Sequence, residues 1–164
     1  MARKAPPVQK IPLTSLPAWI ATWFGAGLLP AAPGTWGSLA ALPVAWLIHA
    51  AGGRIALALA AAALFAAGLW ATRHVLRGAA SKDPAPVVVD EVVGQWFALL
   101  PAALDPLHYG LGFVLFRIAD VIKPWPVSWA DRRLPGAVGV MADDVAAALY
   151  AALVLYLLIH VIGV

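Results

Sequence analysis

The chain has 164 residues, enough for one domain, of which 63% are apolar and 12% charged, with a formal charge of +3. Soluble domains carry roughly 45–50% apolar and 25% charged residues, so the balance excludes disorder and argues against a soluble monomer, whose surface so few charges cannot cover. Cysteine is absent, which removes a disulfide framework, a thiolate nucleophile and a cysteine metal cage; no Lys/Arg stripe resembles a nucleic-acid footprint, so nucleic acid is not an expected partner.

The N-terminus is basic at Arg3, Lys4 and Lys10 but interrupted by Pro6, Pro7, Pro12 and Pro17. It reads as a flexible tail over residues 1–16 lying near anionic headgroups rather than as a cleaved signal peptide. Residues 17–164 then form a single membrane-embedded domain. Five apolar stretches follow. Residues 18–29 are short and bounded by Pro17 and Pro30, which predicts a re-entrant or interfacial segment. Residues 38–51 contain Pro43. Residues 55–72 form the cleanest helical span. Residues 90–122 hold two helical segments split at Pro101 to Pro106, and 143–163 form the last span. A full crossing takes about 20 apolar residues, which only the third and last stretches meet comfortably. The expected fold is all-α: a small polytopic membrane helical bundle with about four or five membrane-embedded helices.

Suppose the stretches alternate in direction, with 38–51 running outward. One side then collects Arg3, Lys4, Lys10, Arg73, Arg77, Lys82, Lys123, Arg132 and Arg133, and the other only Arg54. By the positive-inside bias the basic side is cytoplasmic, and Trp19, Trp23, Trp125 and Trp129 suit interfacial anchoring. Six of the eight acids fall near the same face independently of the basic residues: Asp90, Glu91, Asp120, Asp131, Asp143 and Asp144, leaving Asp83 and Asp105 elsewhere.

Asp90 and Glu91 sit inside an apolar run. One acid at a helix start is an ordinary cap. Two adjacent acids are harder to explain, because each membrane-core charge costs on the order of 2.5–3.5 kcal/mol and the pair repels. A divalent cation answers both difficulties, and Asp143-Asp144 repeats the logic. Arg117, Asp120 and Lys123 recur at three-residue intervals on one helix face. They read either as an ion-pair ladder or as Asp120 serving a metal while Arg117 and Lys123 serve a phosphate. Gly34, Thr35, Gly37 and Ser38 lie in a Gly/Pro loop feeding a helix at about Ser38. That loop is either a tight connection capped by Ser38 or a cradle whose N–H groups face an anion. Of the histidines only His74 lies near the acids, with His49, His108 and His160 on the far side. Hard oxygen ligands without cysteine or clustered histidine point to Mg²⁺, or to Mn²⁺.

The blocks FGAGLLPAAPGTWGSLAALP (24–43), VVDEVVGQW (88–96) and FRIADVIKPWPVSWADRRLPGAVGVMADDVAA (116–147) resemble the phosphatidylglycerophosphatase A family in the order and spacing of their DE, RxxDxxKPxP and DD elements. The resemblance implies a Mg²⁺-dependent, multi-pass phosphatase of the bacterial inner membrane, with its site on the cytoplasmic face. Such an enzyme converts phosphatidylglycerophosphate to phosphatidylglycerol within phospholipid biosynthesis. It makes Asp90, Glu91, Asp120, Asp143 and Asp144 the candidate catalytic acids. On that reading Asp90, Glu91, Asp143 and Asp144 hold one or two metal ions. Arg117 and Lys123 neutralise phosphate oxygens, Asp120 orients water or acts as nucleophile, and the 33–38 segment lines the phosphate pocket. The membrane lipid substrate and the bilayer are the expected partners, and self-association into a homo-oligomer is compatible with the sequence. The rival reading is a cation carrier or channel, since buried acids also mark ion paths; the nearly uncharged far half of the bundle argues against it.

Overall fold

The computed structural model describes residues 11–163 apart from 78, 80 and 82. Arg3, Lys4, Lys10 and Lys82 therefore lie outside the described residues. Every described regular element is helical: α1 (Leu16–Ala21), a 3₁₀ turn (Ala26–Leu28), α2 (Pro33–Leu76), α3 (Val89–Ala98), α4 (Pro106–Ile122), α5 (Val127–Arg133), α6 (Gly136–Leu157) and a terminal π turn (Leu158–Ile162). Two of these, α2 and α6 with its π turn, are long and apolar enough to cross a membrane.

The packed chain begins before the boundary expected at residue 17. Ile11 is buried with Ala18, Ala21 and Val87, and Leu13 packs on the same cluster. Ser15 then caps α1, accepting from Ala18 N at 3.4 Å. The short α1 and the 3₁₀ turn fill the segment expected to be re-entrant or interfacial, joined through left-handed Trp23, Phe24 and Gly25.

α2 is continuous in hydrogen bonding but not in direction. Gly53 has φ 70° and ψ −168°, a conformation open to glycine and costly for other residues. Gly37 packs against Val88, and Gly68 against Val89 and Met141. In a straight helix residues 37 and 68 would stand about 46 Å apart, so the chain doubles back at Gly53 and both arms return to the start of α3. The separation expected between 38–51 and 55–72 is this reversal.

α3 spans only 10 residues, about 15 Å, roughly half of a hydrocarbon core of about 30 Å. α4 begins at Pro106 behind Asp105, whose Oδ1 accepts from Leu107 N at 2.8 Å and His108 N at 3.1 Å. It ends at Lys123 in the left-handed region, ahead of Pro124. Between α4 and the last span, Val127–Arg133 form α5 and carry Asp131. One expectation is corrected here. The last helix starts at Gly136, so Asp143 and Asp144 lie two turns inside it rather than at its opening.

Small residues set the helix spacing: Ala41, Ala45 and Ala61 pack with Val92, Trp96 and Leu99, and Ala147, Ala148 and Ala151 with Phe116. Trp96 Nε1 donates to Ala41 O at 3.0 Å, tying α3 to the first arm of α2. A Cβ on Gly94 would stand 2.6 Å from Phe116 Cε2 and 3.0 Å from Asp144 O. Glycine there lets α3 lie against α4 and α6 at once, which brings their acids together.

Candidate active site

Asp90 and Glu91 occupy the first turn of α3, where the positive end of the helix dipole favours carboxylates. Neither is the cap; that position belongs to Val88, whose side chain offers no capping hydrogen bond. Asp144 approaches from α6. One carboxylate oxygen from each of Asp90, Glu91 and Asp144 lies within 4.8 Å of the other two. Asp90 Oδ1, Glu91 Oε2 and Asp144 Oδ2 are buried without a hydrogen-bond partner. Buried carboxylate oxygens require a partner, which a bound cation or a proton shared between two carboxyls would supply. The donor set fits a hard divalent ion.

Asp120 lies in electrostatic contact with Glu91 and Asp144. Its Oδ2 is 2.7 Å from Nη1 of Arg117, one turn back on α4. The same Nη1 donates to Ser38 Oγ at 3.4 Å, and Ser38 donates to Gly34 O at 3.0 Å. This chain of contacts joins the first turn of α2 to the acids. A Cβ on Gly34 would collide with Glu91 Oε1 and stand 3.2 Å from Arg117 Nη1. α2 begins at Pro33 after Ala32, so Ser38 is not its cap. The candidate phosphate residues Gly34, Thr35, Gly37 and Ser38 belong to the helix itself. Gly34 and Ser38 reach the acidic site, Gly37 packs on Val88, and Thr35 faces a groove with Arg117.

Asp143 and Lys123 stand apart from this cluster. Lys123 Nζ donates to Asp143 Oδ2 at 2.5 Å and to Asp131 Oδ1 at 3.1 Å, bracketing the end of α4 to α5 and α6. Asp143 Oδ1 accepts from Asp144 N at 3.1 Å. Burial disfavours the Lys123 ammonium, but its bonds to Asp143 and Asp131 outweigh that and hold it above the ordinary lysine range. Arg117 and Lys123, expected to share a phosphate, thus engage different carboxylates.

One residue near the acids escaped the sequence reading. Gln95 lies one turn beyond Glu91 on the same face of α3, is fully buried, and has no partner for either side-chain polar atom. Its only sequence signal is its place four residues after Glu91 in an otherwise apolar run.

Fold and site together define a helical, apolar protein that holds an acidic centre with one neighbouring guanidinium at one end of its bundle. A family model described as Phosphatidylglycerophosphatase A matches residues 19–159. The chain is 34% identical to Phosphatidylglycerophosphatase A of Escherichia coli (strain K12) over 142 residues, covering 86% of this chain and 82% of that one. It is 34% identical to Phosphatidylglycerophosphatase A of Haemophilus influenzae over 153 residues, covering 92% and 93%. A protein of Bacteroides thetaiotaomicron whose proposed activity is that of a phosphatidylinositol-3-phosphatase is 39% identical over 155 residues, covering 90% and 96%. No solved structure is a significant match. The chain belongs to the phosphatidylglycerophosphatase A family and is a phosphatase.

Proposed function

We propose that this chain removes the terminal phosphate of phosphatidylglycerophosphate, yielding phosphatidylglycerol and phosphate for phospholipid synthesis, at the cytoplasmic face of a bacterial inner membrane. The observation that carries this reading is the trio of unpartnered buried carboxylate oxygens on Asp90, Glu91 and Asp144, bordered by Arg117 at one end of an apolar bundle. Both arms of α2, together with α4 and α6, are embedded in the bilayer, and α3 reaches about half its depth. Outward-facing Leu47, Ile55, Leu59, Leu149 and Leu153 are exposed and suit a lipid surroundings. The site's end of the bundle also carries Arg73, Arg77 and Lys123, whereas Arg54 follows the reversal at the far end, which supports a cytoplasmic site.

Phosphate monoesters hydrolyse extremely slowly unaided, and their transition state spreads charge over the phosphoryl oxygens. Asp90, Glu91 and Asp144 would hold Mg²⁺ or Mn²⁺. Such an ion supplies charge neutralisation and a water of lowered pKa. Arg117 neutralises and orients a phosphoryl oxygen. Asp120, fixed by Arg117, accepts a proton from the attacking water. The water oxygen bonds to phosphorus, the ester P–O bond breaks, and the proton held by Asp120 passes on to the departing glycerol oxygen. Gly34, lacking a side chain, lets the Glu91 carboxylate and Arg117 lie against the first turn of α2. Asp143 and Lys123 hold the end of α4 against α6 and so fix Arg117 and Asp120.

The Bacteroides relative supports a second substrate reading, a phosphatidylinositol 3-phosphate, with the same phosphomonoester chemistry on a different head. The deciding measurement is phosphate release by the purified protein from each lipid in detergent micelles, with Mg²⁺ and with a chelator. Mg²⁺-dependent release from phosphatidylglycerophosphate, lost in Asp90→Asn, is the expected result. Release that ignores chelation and persists in Asp90→Asn would refute the site.

A further inference from the structure

Two apolar grooves run along the outer face of α4 and share a wall. One, of about 390 Å³, lies between α4 and the first turn of α2, lined by Thr35, Phe113, Val114, Arg117 and Val121. The other, of about 190 Å³, lies between α4 and α6, lined by Leu115, Ala119, Pro124, Tyr150 and Val154. Ile118 and Ile122 line both and form the ridge between them. Arg117 is the one charged side chain among all the lining residues. Its guanidinium passes out of the larger groove to Asp120 and Ser38, and it borders the space at Gly34 that Glu91 fills. An occupant of these grooves therefore needs an anionic end at Arg117 and apolar arms elsewhere.

We infer that the Ile118–Ile122 ridge seats a two-chain lipid phosphomonoester, one acyl chain in each groove and the phosphate at Arg117. The inference rests on the lipid-phosphatase reading above and adds how the lipid is held. The larger groove follows α4 from Phe113 to Ile122 with Arg117 between them, about 6 Å from the one end and about 8 Å from the other. Lipid tails are as apolar as the groove walls, so the seat contributes little affinity. Its effect is to restrict where the two chains lie and thereby hold the phosphate against Arg117 and the acids. Apolar grooves closed to the acids would hold any lipid equally; the guanidinium at this one selects an anionic head.

Val114 and Val154 are partly exposed, one in each groove, and neither touches the acids. The test compares Val114→Trp and Val154→Trp with the native protein, using phosphatidylglycerophosphate and its one-chain lyso form in neutral detergent micelles, with melting temperature as the control for folding. Val154→Trp is expected to lower kcat/KM for the two-chain lipid about fivefold or more and to leave the one-chain lipid unchanged, because one chain needs only the larger groove. Val114→Trp is expected to lower both at an unchanged melting temperature. If Val154→Trp left two-chain turnover intact, or lowered both lipids alike, the seat would be refuted while the phosphatase reading stood. A native protein that released phosphate from neither lipid would remove that reading and the seat with it.

Discussion

The carboxylate of Glu91 fills the space into which a side chain at position 34 would project: an ideal Cβ on Gly34 collides with Glu91 Oε1 and lies 3.2 Å from Nη1 of Arg117. The first turn of α2, the first turn of α3 and the middle of α4 are thus in contact through one missing methyl group. Gly34→Ala should force the Glu91 carboxylate aside while the helices around it stay packed. Displacements near 1 Å at reacting groups cost on the order of 10²-fold in rate, so a loss of that size with a nearly unchanged melting temperature is expected. Full phosphate release by Gly34→Ala would detach this turn from the site.

The three orphaned oxygens make a prediction about stability that does not depend on turnover. A ligand that binds only the folded state stabilises it by about 2.7 kcal/mol at a hundred times its Kd. Mg²⁺ should therefore raise the melting temperature of the native protein. Asp144→Asn removes one charge from the trio with little change of shape. Its melting temperature in chelator should equal or exceed the native value, because repulsion among Asp90, Glu91 and Asp144 is relieved, and its response to Mg²⁺ should shrink. An undiminished Mg²⁺ shift in Asp144→Asn would place the ion elsewhere.

Lys123 has a different part. Its ammonium is the partner of Asp143, whose side chain is only 6% exposed. Removing one member of a fully buried pair costs roughly 3–5 kcal/mol; with Lys123 itself partly exposed, Lys123→Met should cost about 2 kcal/mol. Because its ion pairs raise the lysine pKa, the stabilisation is fully present below the unfolded value near 10.5 and is lost only as pH climbs through the higher folded value. Adding Asp143→Asn to Lys123→Met should recover most of the lost stability in chemical denaturation. A double variant as weak as the single one would show that Lys123 acts through contacts other than Asp143.

Gln95 tests whether a buried amide without a protein partner serves structure. Gln95→Leu forfeits no hydrogen bond within the chain and removes two unsatisfied polar atoms, each costing about 1–3 kcal/mol. Its melting temperature should match or exceed the native one. Thermal unfolding checks this, and a clear fall would reveal a bond that Gln95 makes to a bound water or ion.

Which elements were legible in the sequence follows from what each signal measures. Apolar runs revealed the arms of α2, the split between α3 and α4, and the body of α6, because burial and lipid contact both demand apolar residues. The convergence of Asp90, Glu91 and Asp144 was legible because alternating helix directions bring those positions to one end. The seven residues of α5 escaped, since Val127–Arg133 is too short to show a period and follows Pro124 and Pro126. The first turns of α6 escaped because Gly136 and Gly139 weaken any helical signal. The division of labour between Asp143 and Asp144 also escaped. Neighbours on a helix point about 100° apart, and only the packed bundle decides that one meets Lys123 and the other meets Asp90 and Glu91.

The crease at Gly53 makes the depth of the reaction centre a matter of counting. Gly34 is hung from the far end of the bundle by an arm of fixed length, as Gly68 is by the other. Deleting any single residue between Gly34 and Gly53 would draw Gly34 back by about 1.5 Å and swing it through about 100°, turning a bulkier neighbour onto Glu91. The outer arm therefore works as a gauge, and length variation in this family should be tolerated in the connection after α2 far better than within that arm.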